Sequence, residues 1–272
     1  MNKPLQNIRA YSQADFDEPL TASFLSGQAV FFTTRAPGKT TPNEDCLALL
    51  PFDEESGVLI VADGLGGLPA GSTASQLAIE NMSQVLHEAT TDAIPLRDAI
   101  LNGIERANEA ILQQASGMAT TLAVIEIQGH TIRHYHVGDA MILLTGQRGK
   151  LKAYTVSHSP VGYAVEAGLL DEEEAVHHEE RHIVSNVVGA TDMSISIGTT
   201  LQLATRDTLL LASDGLFDNL YIEEIVEVIR KGPLASSANK LLSLCQQRMQ
   251  LPQPGAPSHP DDLSFILYRL NP

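Results

Sequence analysis

Two acidic residues each follow a buried-strand pattern and each precede a glycine. Asp63 comes after the apolar run 58–62 and before Gly64, and Asp214 follows the apolar run 208–213 in the same way. One Asp-Gly pair alone indicates a turn, because the dipeptide is among the commonest turn formers. Two such pairs at the ends of two buried strands can bring two carboxylates to one edge of a core, where a cation would offset their repulsion.

Further acidic residues lie at or near predicted strand ends, and no matching set of His or Cys ligands accompanies them. All-oxygen ligation favours Mg²⁺ or Mn²⁺ over zinc or copper. Two such ions that share a carboxylate can lower the pKa of a bound water and hold a phosphoryl oxygen for in-line attack. Because the sequence has neither a P-loop nor a nucleophile elbow, the residues alone predict a binuclear phosphohydrolase. The further acids are Glu44, Asp45, Asp139, Asp218, Asp261 and Asp262.

The elements that must position these acids are predicted from the periodicity of apolar residues. Residues 1–25 are polar and aperiodic, which predicts an irregular lead, and 26–272 are interpreted as a single domain. The stretch 121–156 is predicted to form one antiparallel meander. Helix pairs next to blocks of antiparallel strands indicate an α+β fold. Helices are predicted at 74–86, 95–112, 223–230 and 236–249, and the other strands at 28–34, 46–50, 58–62, 201–203, 208–213 and 263–270.

Composition and charge exclude several classes of partner. The 272 residues are 43% hydrophobic and carry 17 Lys and Arg against 33 Asp and Glu, a formal charge of −16. A surface for nucleic acid or an anionic membrane would need the opposite sign. Cys46 and Cys245 are far apart and fit no disulfide framework, which is typical of a reducing compartment. Since no signal peptide or transmembrane run is evident, a cytoplasmic protein is predicted.

Seven short motifs resemble, in the same order, those of the metal-dependent protein serine/threonine phosphatases of type 2C, in their compact bacterial form. The resemblance runs from about residue 43 to residue 270. It implies a central antiparallel β-sandwich flanked by helix pairs, a four-layer αββα fold, with residues 157–189 as a flap beside the active site. The polarity of this segment predicts that it is mobile, and its position after the strand that follows Asp139 predicts that it docks the protein substrate. The motifs are 43–45 (NED), 61–67 (VADGLGG), 117–122 (GMATTL), 137–139 (VGD), 157–159 (SHS), 213–218 (SDGLFD) and 261–264 (DDLS).

The resemblance also implies two core Mn²⁺ or Mg²⁺ ions and assigns residues to each. Asp63 would bridge the two ions, and the carbonyl oxygen of Gly64 would join it on the first. Glu44 and Asp45 would serve that first ion, either directly or through water.

The second ion and a possible third ion would be held by the remaining acids. Asp214 and Asp261 would complete the second ion, so that Asp63 and Asp214 are the catalytic acids. Asp262 is an alternative to Asp261, and only the register of the family favours Asp261. Asp139 and Asp218 match the pair that holds a third, weaker ion in bacterial members.

One departure from the family pattern concerns phosphate binding. The family often has an arginine four residues before the position of Glu44, and this chain has Thr40 there. Lys39 or Arg35 could replace it as the residue that binds the substrate phosphate. Two other histidine patterns are interpreted without catalysis: residues 178–182 fit H-E-x-x-H but lack an apolar helix face, and His158 is expected to be structural.

The expected function is hydrolysis of phosphoserine and phosphothreonine in proteins, by attack of a water that bridges the two ions. The resemblance implies a phosphorylated protein as substrate, an opposing serine/threonine kinase, and a monomer without nucleic-acid or membrane partners. The alternative is a catalytically weak relative that acts as a phosphoprotein-binding regulatory module. Silent relatives lose metal carboxylates, whereas this chain keeps an acid at every core position.

Overall fold

The computed structural model describes residues 8–65, 70–115, 117–171, 174–175 and 177–271. Gly66 and Gly67 of the motif at 61–67 lie outside the described residues. In the described ranges the strands are β1 (Arg9–Ser12), β2 (Leu20–Phe24), β3 (Gly27–Thr34), β4 (Asp45–Pro51), β5 (Ser56–Leu65), β6 (Ala119–Thr120), β7 (Leu122–Gln128), β8 (Thr131–Val137), β9 (Met141–Thr145), β10 (Leu151–Tyr154), β11 (Ser196–Ile197), β12 (Leu201–Gln202), β13 (Thr208–Ala212) and β14 (Leu263–Leu270). The helices of the same ranges are α1 (Ala70–Asp92), α2 (Leu96–Gln113), α3 (Pro160–Glu166), α4 (Asp214–Phe217), α5 (Ile222–Ile229) and α6 (Leu234–Gln250).

These strands form two antiparallel sheets that pack face to face. The first sheet has the order β1-β4-β5-β7-β8-β11, with β6 paired to β5 and β12 paired to β8. The second has the order β10-β9-β13-β14-β3-β2. One hydrophobic cluster lies between the sheets, a second joins the first sheet to α1 and α2, and a third joins the second sheet to α5 and α6. The predicted α+β fold with four layers is confirmed.

The two central strands that lead to the Asp-Gly pairs are buried on both faces. In β5, Val58 and Ile60 face α1 and α2, whereas Leu59 and Val61 face the other sheet. Successive side chains of a strand point to opposite faces, so a strand with a layer on each side must be apolar at every position. This explains the unbroken apolar runs in the sequence. None of the described helices is both long and apolar enough to span a membrane.

The expectation of an irregular lead over residues 1–25 is wrong for two stretches. Arg9–Ser12 pairs with β4, and Leu20–Phe24 pairs with β3. Each is the outermost strand of its sheet and carries exposed positions. An edge strand pairs on one side only and is partly solvated, so its sequence needs no strong apolar alternation.

The single meander expected over 121–156 is also wrong. Strands β7 and β8 belong to the first sheet, whereas β9 and β10 belong to the second. The chain crosses between the sheets at Gly138, whose φ of 97° is in the left-handed region that favours glycine. The crossing leaves Asp139 at the edge where the two sheets meet.

Gly215 packs directly against the backbone of Asp262, the residue before β14, and this contact leaves no room for a side chain. A Cβ at this position would overlap the carbonyl oxygen of Asp262. We expect Gly215→Ala to lower the free energy of unfolding by about 1–3 kcal/mol, because backbone must move to admit the methyl group. Urea unfolding of the metal-free protein measures the change. The matched control is Gly146→Ala, whose Cβ would have its nearest neighbour at 3.5 Å. Equal stability of the two variants would contradict the prediction.

Candidate metal centre

The first part of the centre comes from the hairpin of β4 and β5. Asp45 opens β4 and lies directly opposite Asp63 near the end of β5, so both side chains lie on the same face. Glu44 precedes the strand, and its carbonyl oxygen accepts a hydrogen bond from the N–H of Gly64 at 3.2 Å. The two backbones therefore hold Glu44, Asp45 and Asp63 at one end of the hairpin.

The GMATTL motif fixes the backbone of Asp63. The N–H of Thr121 donates to the carbonyl oxygen of Asp63 at 2.8 Å, and the hydroxyl of Thr120 donates to the same oxygen at 2.8 Å. Both threonine residues are fully buried. A carbonyl that accepts two buried hydrogen bonds is held in place. The side chain of Asp63 therefore extends from a fixed backbone.

The second part of the centre comes from β13 and the short helix α4. Asp214 is the first residue of α4, and Asp218 is its C-cap. The hydroxyl of Ser213 donates to Oδ2 of Asp45 at 2.8 Å, a buried bond that joins the two sheets at this edge. The acids of both sheets therefore share one end of the sandwich.

Asp139 is positioned by the crossing between β8 and β9. The N–H of Gly138 donates to Nδ1 of His158 at 3.1 Å, and the amide of Asn186 donates to the same nitrogen at 2.8 Å. Since Nδ1 accepts, the ring proton is on Nε2, which donates to the hydroxyl of Ser196 at 2.8 Å. These contacts support a structural role for His158, which orients the backbone next to Asp139.

The two adjacent acids before β14 have different surroundings. Asp262 is buried, and its carboxylate accepts from the N–H of Ala36 and the N–H of Glu44, both at 2.7 Å, and from Nζ of Lys39 at 2.6 Å. Both oxygens are thus already satisfied within the protein. Asp262 thereby links the two sheets. Because its oxygens already have partners, Asp261 is favoured over Asp262 as the metal ligand.

Asp261 faces the other acids of the centre. Its charge contributes to raising the pKa values of Asp63, Asp139 and Asp214. One of its oxygens accepts from the N–H of Asp262 at 2.7 Å. The side chain is 39% exposed and lies at the open side of the centre.

Burial and mutual repulsion make these carboxylates poor acids. Burial, followed by the charges of Asp214 and Asp45, raises the pKa of Asp63 well above its ordinary value. Burial, followed by the charge of Asp261, does the same to Asp214. Burial and the charge of Asp262 raise the pKa of Asp45 to about 8, and burial with the charge of Asp218 raises the pKa of Asp139 to about 7. The fold thus assembles acids that cannot all be ionised near neutral pH unless a cation joins them.

Unpartnered oxygens test whether a cation fits. Among the described residues, Oε1 of Glu44, Oδ1 of Asp45 and Oδ1 of Asp139 are buried and have no hydrogen-bond partner. Buried polar atoms are nearly always hydrogen-bonded, so such an atom needs another partner. Three carboxylate oxygens of this kind in one acidic cluster, without a nitrogen or sulfur donor among them, fit Mg²⁺ or Mn²⁺.

Lys39 and Arg35, the two candidates for binding the substrate phosphate, have different neighbours. Nζ of Lys39 lies 2.7 Å from Oε2 of Glu44, so Lys39 reaches the centre itself. Nε of Arg35 instead forms an ion pair with Oδ2 of Asp15 at 2.7 Å, and its side chain is 45% exposed. Of these two candidates, Lys39 is therefore the one that the structure brings to the acids.

A cavity of about 800 Å³ opens beside the acids. Asp139, Asp214 and Asp218 lie at its base, and α3 and α5 contribute to its walls. The walls combine apolar side chains with exposed acids, and they belong partly to the segment 157–189. The wall residues used below are Val165, Glu166, Phe217 and Glu223.

Three residues near the centre were not identified as functional from the sequence. Nε of Arg181 lies 3.7 Å from Oδ2 of Asp218, and Nδ1 of His182 lies 3.0 Å from the same oxygen. His259 packs on His182, with ring centroids 4.0 Å apart. Residues 178–182 contain no helix, so the H-E-x-x-H pattern does not form the zinc-protease arrangement. The only available signal was that His259 stands two residues before Asp261.

Known proteins resemble the chain over most of its length. A family model described as protein phosphatase 2C matches residues 34–251. The protein phosphatase PhpP of Streptococcus pneumoniae is 30% identical over 213 residues, which are 75% of this chain and 85% of PhpP.

Solved structures give the same result. A serine/threonine phosphatase of S. agalactiae superimposes with a TM-score of 0.77 at 26% identity, over 90% of this chain and 100% of its own. The catalytic domain of the phosphatase PstP in complex with two manganese ions has a TM-score of 0.67 at 26% identity, over 89% of this chain and 96% of its own. Because the family model matches most of the chain and PhpP is 30% identical over 75% of it, the chain belongs to the protein phosphatase 2C family.

Proposed function

We propose that this protein hydrolyses phosphoserine and phosphothreonine in protein substrates, with divalent cations bound by the acidic centre. The observation that carries the proposal is the group of buried carboxylates from both sheets, three of which have an oxygen without a partner. The phosphatase names of the similar proteins support the same activity. A kinase of serine/threonine specificity must place the phosphate, because these phosphomonoesters arise by phosphoryl transfer.

The contacts support a division of the acids among the ions. Asp63 would bridge two ions, with the carbonyl oxygen of Gly64 on the first. Glu44 and Asp45 would serve that ion, because each keeps an unpartnered oxygen next to the hairpin end. Asp214 and Asp261 would hold the second ion, and Asp139 and Asp218 a third. Manganese is the supported metal, since it occupies the related PstP domain.

When bound, two such ions supply a nucleophilic water of lowered pKa and neutralise charge on the phosphoryl oxygens. The protein's own residues hold this arrangement in place. Thr120 and Thr121 fix the backbone of Asp63, and Asp262 fixes the N–H of Glu44. The ammonium of Lys39 contacts both Glu44 and Asp262, and at this position it would donate to an oxygen of a phosphate bound at the centre.

The cavity beside the centre supports a docking role for 157–189. Glu166 on α3 and Glu223 on α5 are exposed acids that line the cavity, and Val165 and Phe217 add apolar surface to it. A phosphoprotein segment with basic and apolar residues near its phosphoserine would complement this groove. The alternative of a silent binding module is not favoured, because the described residues keep every acid of the centre.

Activity is expected to require Mn²⁺ or Mg²⁺. Dialysed protein in excess EDTA should lose turnover of p-nitrophenyl phosphate, and Mn²⁺ should restore it, because the activity needs cations that the acids bind reversibly.

Asp63→Asn and Asp214→Asn should each remove most of the activity. The metal-free variants should unfold at the same or a higher urea concentration than wild type, since each loses a buried repulsive charge. Full turnover in EDTA would contradict the proposed function.

Lys39→Met is expected to weaken phosphate binding. The inhibition constant of inorganic phosphate should rise about tenfold, because a charge-assisted hydrogen bond is lost. Lys39→Arg should recover part of the loss, since it keeps the charge. Arg35→Met, on the same loop but paired with Asp15, is the matched control and should leave the constant unchanged. If Lys39→Met changed only the thermal stability, the assignment of Lys39 to phosphate would be wrong.

Reversing the charge of the groove should change substrate preference. The double variant of Glu166→Lys and Glu223→Lys should lower kcat/KM about tenfold for a phosphopeptide with basic flanks and raise it for one with acidic flanks. Turnover of p-nitrophenyl phosphate should not change, because this small substrate has no flanks. The double variant of Glu105→Lys and Glu109→Lys, two exposed acids on α2, is the control of equal charge change. An equal fall for all substrates would show that the groove supports the centre and does not dock substrate.

A further inference from the structure

A second group of metal-ligating side chains lies beside the carboxylate centre and shares Asp218 with it. His182, Asp218 and His259 each offer one ligand atom, and these three atoms lie within 4.8 Å of one another. The three residues come from the segment 157–189, from the end of α4 and from the loop before β14. Two imidazoles and one carboxylate thus converge from three distant parts of the chain.

Two of the three ligands are held to each other by a buried amide. Asn219, next to Asp218, is fully buried. Its side chain accepts from the N–H of His259 at 2.8 Å and donates to the carbonyl oxygen of His259 at 2.7 Å. The N–H of Asp218 donates to the carbonyl oxygen of Asp214 at 2.7 Å. Asp218 and His259 therefore form a preorganised pair on the body of the domain.

The third ligand approaches from the opposite side of the groove. The ring of His182 is tilted by 31° over that of His259, and Nδ1 of His182 lies 3.0 Å from Oδ2 of Asp218. The side chain of His182 is 39% exposed, and that of His259 is 36% exposed. An ion can therefore reach this group from solvent.

We propose that His182, Asp218 and His259 form a transition-metal site, with Zn²⁺ as its occupant, that pins the segment 157–189 to the rim of the carboxylate centre. Two histidines and one carboxylate are a common set of three protein ligands for zinc, and a water completes the tetrahedron. Bonds of about 2.0–2.1 Å require ligand atoms about 3.4 Å apart, which small side-chain rotations provide. The nitrogen donors distinguish this site from the all-oxygen centre, which favours Mn²⁺ or Mg²⁺.

A change at Arg181 is expected to strengthen zinc binding, whereas changes at the histidines are expected to weaken it. Its guanidinium shares Oδ2 of Asp218 with His182, at 3.7 Å, and its positive charge opposes a cation there. Replacing Arg181 with glutamine should therefore tighten zinc binding, although it removes a contact to a zinc ligand. A site that merely needed an ordered segment would instead be weakened.

The experiment measures Zn²⁺ binding to the full chain with a chromophoric zinc indicator as competitor. Mn²⁺ is held at a concentration that fills the two core positions but not the weaker third one, which shares Asp218. Wild type should bind one Zn²⁺ that His182→Gln and His259→Gln each weaken at least about tenfold. His178→Gln, a histidine of the same segment outside the group, is the matched control and should bind as wild type does. Arg181→Gln should bind more tightly. Absence of zinc binding in wild type, or equal binding by both histidine variants and wild type, would overturn the proposal.

Two further readouts do not depend on activity. Co²⁺ in the wild-type site should give the strong visible absorption of a tetrahedral ion, and this band should be absent from the double variant of His182→Gln and His259→Gln. Trypsin cleavage after Arg181 should slow when Zn²⁺ is added to wild type, because the ion holds the segment closed, but not in the double variant. Cleavage unaffected by zinc in wild type would overturn the pinning of the segment.

Discussion

The repulsion among buried carboxylates is the constraint on which the rest of this structure depends. Acids from both sheets are held at one end of the sandwich, where burial and their mutual charge keep their pKa values high. Such a cluster lowers the stability of the metal-free fold, so its backbone must be secured by other interactions. The hydrogen bonds of Thr120, Thr121 and Ser213 provide that support, and none of them uses up the oxygens that a cation needs.

Asp261 and Asp262 show how partners decide the role of a side chain. Asp262 accepts two backbone N–H groups and an ammonium, so its charge is compensated within the protein. Asp261 has the open side of the centre and the other acids as its neighbours. Lys39 contacts both Asp262 and Glu44, so it connects the structural acid to the metal centre. A single residue step along the chain thus separates a structural acid from one that is available to a cation.

The sequence predicted the fold where the pattern was dictated by burial on both faces. Strands β5 and β13 lie between two layers, so their apolar runs and terminal acids could be recognised without a structure. The edge strands β1 and β2 were missed, because one-sided pairing demands little of their sequence. The crossing at Gly138 was missed as well, since a glycine turn within a sheet and one between sheets have the same local signal.

The predicted acids were close together in the structure, but two kinds of information were outside the reach of the sequence. The first was the choice between neighbours of equal chemistry, which for Lys39 and Arg35 depended on where one loop places each side chain. The second was convergence from distant segments. His182 and His259 are separated by 77 positions, and only the buried amide of Asn219 brings the second histidine next to Asp218.

The position of β14 has a consequence for biosynthesis. This strand lies between β13 and β3 in the second sheet. Directly before it, Asp261 faces the acidic centre and Asp262 links the two sheets. A chain still on the ribosome, with residues 261–270 unmade, would hold β3 and β13 without the strand that joins them. Because pairing across such long sequence separations forms late, the nascent protein would have neither a closed sheet nor a complete set of acids. The group of acids at this end of the sandwich is therefore complete only after the last strand has been synthesised and paired.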